Sequence, residues 1–117
     1  MGLDEKLTAL LQAICPNTFC DFAPTNTPRP YVIWQQIGGD ALTFIDGALP
    51  NKRNAWVQIN VWSDRRSEAT TLMLQIEAAL VAAVQLQAEP MAAMSSDSDA
   101  DLKRYGSQQD FNIWADR

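Results

Sequence analysis

Residues 56–62, WVQINVW, alternate in character at every position. Val57, Ile59 and Val61 fall on one side, and Trp56, Gln58, Asn60 and Trp62 on the other. A period of two belongs to a β-strand, whose successive side chains point to opposite faces of the sheet. The aliphatic side requires a core, so this strand lies in a sheet covered on at least one face. Slipping the register by one residue would exchange the two sides, so the pattern also fixes which side is buried. The second side is the unusual one. A face that meets water carries Lys, Glu, Arg and Thr, and a face under another helical layer carries Val, Ile and Leu. This one carries indoles and amides.

The rest of the chain supplies the layers. Residues 4–15 (DEKLTALLQAIC) read as a helix, with Asp4 as N-cap and Leu7, Leu10, Leu11 and Ile14 forming a stripe continued upstream by Leu3. Pro16 and Asn17 end it. Pro24, Pro28 and Pro30 mark an extended connector, with room for a short strand at 19–22. Residues 31–37 (YVIWQQI) have strand composition. Gly38-Gly39, Asp46-Gly47 and Pro50-Asn51 then punctuate a connection too long for a simple hairpin. It is expected to be a protruding, mobile arm over 38–55, whose Leu42, Phe44, Ile45 and Leu49 have no core position.

A second helix is expected from about Arg65 to Val84, capped by Ser63 or Asp64. Its buried stripe is Ala69, Leu72, Met73, Ile76, Leu80 and Ala83. Its end, AALVAAV, is less polar than a solvated face needs, which suits burial against a neighbour. Two strands follow, over 90–96 and 104–115, separated by the acidic turn DSDAD. The order α-β-β-α-β-β predicts an α+β fold in a single domain over 1–117: a four-stranded sheet with two main helices packed on one face.

On this reading the non-aliphatic face of the three best-defined strands gathers Val32, Trp34, Gln36, Trp56, Gln58, Asn60, Trp62, Asp110, Asn112 and Trp114. All four tryptophans of the chain lie there, with one charge among the ten residues. Depletion of charge and enrichment in aromatics characterise the centre of a protein–protein interface. The candidate interface residues are therefore Trp34, Gln36, Trp56, Gln58, Asn60, Trp62, Asn112 and Trp114, together with the apolar residues of the arm.

Little points to catalysis. The chain has no histidine, which removes the commonest neutral-pH acid/base and the commonest metal ligand. Cys15 and Cys20 read as inert thiols, without a base to activate either one. Asp97, Asp99 and Asp101 imitate the start of a calcium loop but lack its glycine and closing glutamate. No cofactor or metal is expected. A net charge of −5 argues against tight nucleic-acid binding, which depends on neutralising phosphates. No apolar run approaches the roughly 20 residues of a membrane span, and the acidic N-terminal stretch does not read as a secretory signal. The dibasic pairs Lys52-Arg53, Arg65-Arg66 and Lys103-Arg104 lie near strand ends. They are either solvated turn residues or electrostatic contacts to acidic loops of a neighbouring subunit.

Three segments, PRPYVIWQQIGGDALTFIDG (28–47), WVQINVWSDRRSEATTLMLQIEAAL (56–80) and DLKRYGSQQDFNIWADR (101–117), resemble the tail-completion, or tail-terminator, family of long-tailed bacteriophages. The resemblance spans nearly the whole chain and rests on diffuse patterns: Pro30-Tyr31-Val32, Asp46-Gly47, the strand at 57–62, Ser67-Glu68-Ala69, and Asp110-Phe111 with Trp114. It implies a structural protein, not an enzyme, made in the bacterial host cytoplasm and placed at the head-proximal end of the virion tail. There it would form a ring, a hexamer, that caps the tail tube and meets the head connector, so its partners would be copies of itself, the tube protein and the connector protein. The resemblance also gives the acidic balance a use, since DNA must pass such a ring without adhering. The reading from another class is a small-molecule-binding or regulatory α+β domain with the Trp-rich face as its platform.

Overall fold

A computed structural model describes residues 2–117. The elements are α1 (Leu3–Ile14), β1 (Thr18–Cys20), β2 (Tyr31–Gly38), β3 (Lys52–Ser63), α2 (Arg66–Ala82), a 3-10 turn at Val84–Leu86, β4 (Glu89–Pro90), β5 (Ser95–Asp99) and β6 (Arg104–Asp116). The fold is α+β, with two helices on a mixed sheet of six strands where the sequence suggested four. The order is β1-β2-β3-β6, with β4 and β5 both paired to the outer side of β6. Only β1 pairs in parallel, Thr18–Cys20 lying beside Val32–Trp34. The two extra strands come from short segments: the proline-rich connector closes the β2 edge at 18–20, and the single strand expected over 90–96 is broken into β4 and β5. Residues 91–94 separate those two, so the acidic run is itself mostly strand and the reversal falls at 100–103.

Both helices lie on one face. Leu3, Leu7 and Leu11 of α1 and Met73, Ile76 and Leu80 of α2 are fully buried on Val32, Trp34, Ala55, Val57, Ile59, Val61, Phe111, Ile113 and Ala115. Each large apolar side chain taken from water here contributes about 1.5–3 kcal/mol. The long β3–β6 ladder, from Lys52↔Asp116 to Ser63↔Tyr105, holds the centre of the layer.

The helix starts differ from expectation. Gly2, not Asp4, is the N-cap of α1. Asp4 instead sits in the first turn, where an acid favours the helix dipole, and its carboxylate meets Arg53 at 3.3 Å. Arg65 takes the N-cap position of α2. Ser63 still serves that end: its Oγ accepts the Arg65 N–H at 3.2 Å and donates to Glu68. The arm is shorter than 38–55, because β3 already begins at Lys52. It is rooted where the Asp40 N–H donates to Asn54 Oδ1 (2.8 Å) and closes on a turn between Phe44 and Ala48. Gly39 adopts φ 146°, and a Cβ there would lie 2.5 Å from the Asn54 carbonyl oxygen, so only glycine fits this exit from β2.

Candidate protein–protein interface

The face of the sheet away from the helices is built by β3, β6 and β2, in that order of weight. β3 contributes Trp56, Gln58, Asn60 and Trp62, and β6 contributes Gln108, Asp110, Asn112 and Trp114 in register with them. The expected parity of these two strands is correct. That of β2 is not. Trp34 pairs with Ile59, Val32 with Val61 and Gln36 with Val57, so all three belong to the helix-covered parity. Trp34 is 2% exposed, and its indole N–H donates to Thr8 Oγ1 of α1 at 3.0 Å. A tryptophan under a helix whose N–H finds a partner is a core residue. Gln36 stands at the rim of the same side, where its Oε1 accepts from Arg53 at 2.9 Å. The β2 residues that do share the open face are Tyr31, Ile33 and Gln35. The alternation expected for β2 holds, but matching Trp34 to the indoles of β3 and β6 selects the wrong one of its two parities. The segment 31–37 alone does not settle the parity, because both sides of β2 carry apolar residues: Tyr31, Ile33 and Ile37 on one, Val32 and Trp34 on the other.

Two of the remaining indoles lie flat, for a reason visible in the sequence. Trp56 pairs with Gly38 and Trp62 with Gly106. A Cβ on Gly106 would come within 2.8 Å of the Trp62 ring, and one on Gly38 within 3.2 Å of Trp56. Each glycine leaves a gap in its strand that the neighbouring indole covers, a device that repairs the packing lost at a strand glycine. Trp62 is covered in turn by the Arg104 guanidinium, 4.0 Å from the ring centroid. That guanidinium also donates to the Tyr31 hydroxyl and meets Asp99 at 3.6 Å. Among the described residues no cation covers Trp56, which remains 37% exposed. Trp62 and Trp114 are half-buried.

Between the indoles runs a row of amides. Asn54 is buried and donates to Asn112 Oδ1 at 2.6 Å, and Asn60 reaches Gln58 at 3.5 Å. The single acid in the middle of the face, Asp110, has a buried Oδ1 with no hydrogen-bond partner among the described residues. A buried acceptor left unpaired is costly, and Gln109 Oε1 on the helix-covered side shares that state.

The arm presents Leu42, Phe44, Ile45 and Leu49 to solvent, Ile45 wholly so at 107% exposure. The outer side of α2 and the turn after it likewise expose Leu74, Val81 and Val84, the apolar helix end noted in the sequence. The dibasic residues are mostly engaged within the chain. Lys52 meets Asp116 at 2.9 Å, Arg53 meets Asp4, and Arg65 meets Glu68 at 3.6 Å. Arg66 donates to the Gly106 carbonyl at 2.7 Å and lies 5.7 Å from the Tyr105 ring centroid. Arg104 is held as described. Lys103 sits exposed in the β5–β6 turn with a left-handed backbone (φ 51°).

Among the described residues both thiols are raised, which disfavours their nucleophilic form. Burial pushes the Cys15 thiol up, and its Sγ–H donates to the Pro30 carbonyl. Desolvation and the nearby acids Asp21 and Asp4 push up Cys20. A raised thiol is protonated near neutrality and a poor nucleophile. Asp99 faces Arg104 and accepts the N–H groups of Asp101 and Leu102, so its carboxylate serves the turn.

Residues 3–116 match the family model described as "Tail completion protein gp17". Among solved structures, a chain from the virion of a native gene transfer agent particle superposes with a TM-score of 0.62 at 16% identity, covering 93% of this chain and 86% of that one. At that identity the likeness is one of fold. No curated protein sequence matches the chain.

Proposed function

The chain belongs to the tail completion protein gp17 family, a structural family of the phage tail, and from that premise we propose that it assembles as a ring, a hexamer, on the head-proximal end of the tail tube. In that position it caps the tube and offers its other rim to the head connector. The single observation that carries this reading is the open sheet face. It displays Trp56, Trp62 and Trp114 among amides and is crossed by neither helix. Such a face is suited to other protein chains. The arm is the second contact: an exposed apolar segment that becomes ordered when it meets its partner, which keeps affinity low before assembly. The solved gene transfer agent particle is a virion, and a fold shared with one of its chains supports a place in a similar assembly. The net charge of −5 suits a channel that DNA must traverse freely.

The test uses purified protein and polymerised tail tubes. Rings at one end of each tube in electron micrographs, and tubes that stop lengthening when the protein is added, are the expected result. A protein that sediments as monomer at high concentration and leaves tube growth unchanged would overturn the proposal.

A further inference from the structure

The molecule is 53 Å long, and its two ends differ. Beyond Gly38 and Lys52, at one end of β2 and β3, projects the arm. At the other end, where β2 begins, a groove of about 450 Å³ opens beside the Trp-rich face. Its walls include Phe22, Tyr31, Ile33 and Leu102, and its rim carries Arg29 and Arg104. Phe22 and Leu102 are both exposed, apolar and outside the helical core. The volume lies within the range of about 300–1,000 Å³ found for clefts that enclose a small ligand, enough for an apolar side chain or two.

We infer that this groove receives the arm tip of a second copy, with Phe44 and Ile45 against Phe22, Ile33 and Leu102. The inference rests on the assembly reading above and specifies where the arm of that assembly goes. Three observations favour this occupant. The first is apolar match, because the tip is the most exposed hydrophobic segment of the chain and the groove offers uncovered apolar walls. The second is charge. The arm over 39–51 carries Asp40 and Asp46 and no base, whereas the groove lining holds two arginines and no acid, Arg104 being already engaged by Asp99 and Tyr31. Arg29 engages Asp64 through its Nε, which leaves its terminal nitrogens for a carboxylate. The third is reach. The eight residues of β2 hold arm root and groove about 23 Å apart at roughly 3.3 Å per residue. The arm leaves pointing away from its own groove, so the contact forms between copies. A knob at one end and a socket at the other make a heterologous interface, which closes into a ring when the rotation permits.

The test is a disulfide between copies, in a Cys20→Ser background that removes the native exposed thiol. Ile45→Cys and Leu102→Cys in one chain should give a ladder of cross-linked multimers under mild oxidation at high protein concentration. Each single variant should give none, and a mixture of the two singles should stop at dimers. In parallel, Ile45→Asp should raise the concentration needed for association about tenfold, on the scale of an interface anchor. Both positions are exposed, and an unchanged thermal midpoint confirms that the variants fold. Rings or tube caps that form without the ladder, or that tolerate Ile45→Asp, would overturn the groove assignment and leave the assembly reading intact. Absence of both ladder and rings, with tubes present, would overturn both.

Discussion

The two faces of the sheet use similar residues and end in opposite states. Trp34 and Gln109 belong to the helix-covered side, and each is tied down by the chain itself. The indole donates to Thr8, and the Gln109 amide donates to Glu77 and to the Ala92 carbonyl. On the open side neither Trp56 nor Trp114 makes such a hydrogen bond among the described residues. Amino-acid type therefore does not decide whether a tryptophan is core or surface here. Strand parity does, and parity is set by which neighbour each residue faces across the ladder. The covered face is closed off by the two helices, with one acceptor, Gln109 Oε1, left without a hydrogen-bond partner among the described residues. The open face is left uncovered by either helix.

That contrast breaks most visibly at Trp34. Trp34→Ala removes a fully buried ring and its hydrogen bond, and should cost about 3–5 kcal/mol of folding stability in a denaturant titration. The folded fraction should associate normally. A stability unchanged by this variant would mean that the assigned β2 register is wrong. Trp56→Ala together with Trp114→Ala should do the reverse. Monomer stability should fall far less than for Trp34→Ala, while association weakens by about 30-fold or more, as when an interface loses a central anchor of 2 kcal/mol. Sedimentation velocity over a concentration series separates the two outcomes. If association survived, the open face would be a packing surface only and the reading that rests on it would fail.

A finer probe lies within the open face. Gly106→Ala places a methyl within 2.8 Å of the Trp62 ring, which must tilt off the sheet and away from Arg104. The expected cost is about 1–3 kcal/mol, as for an overpacked site. A shift of the tryptophan emission should accompany it, and the companion Gly47→Ala, with nothing within 4 Å, should leave emission unchanged. A neutral Gly106→Ala would show that the ring does not depend on the gap left by the glycine.

Much of this architecture is legible in the chain. The strict alternation at 56–62 gives β3 and its faces, and the 3.6-residue stripes give both helices and their buried sides. The open-face identity of Asp110, Asn112 and Trp114 follows from Phe111, Ile113 and Ala115 alternating with them. What escapes is what depends on partners distant in sequence. The parity of β2 is ambiguous in YVIWQQI, because tyrosine, valine, isoleucine and tryptophan suit either side, and only the pairing of Trp34 with Ile59 resolves it. β1 and β4 have three and two residues, too few to carry a period, and they exist because longer neighbours offer an edge. The dibasic pairs look alike in sequence, yet Arg104 covers an indole while Lys103 beside it is exposed. The signal that was available and missed is glycine within a strand, Gly38 and Gly106, each opposite a tryptophan.

The smallest effect concerns the seam where the two faces meet the arm. Asp116, at the end of β6, accepts from Lys52 at 2.9 Å and Lys6 at 3.4 Å, joining the base of the arm to α1. The Lys52 ammonium, then Lys6, hold the Asp116 carboxyl below its usual range. With the folded value below the unfolded one, the unfolded chain takes up the proton first as pH falls. The ion pair therefore stabilises fully above the ordinary carboxylate range, and that contribution is lost as pH drops through the depressed value. Because Asp116 is well exposed, solvent screens the pair and the effect on the global midpoint should be slight. Asp116→Asn should lower the neutral plateau slightly and flatten this acid limb by the same amount, so that the two proteins converge at low pH. In moderate salt the wild type should approach the variant, since screening acts on exposed pairs first. An acid limb unchanged by the variant would detach the arm base from α1 and leave the covered and open faces stabilised independently of it.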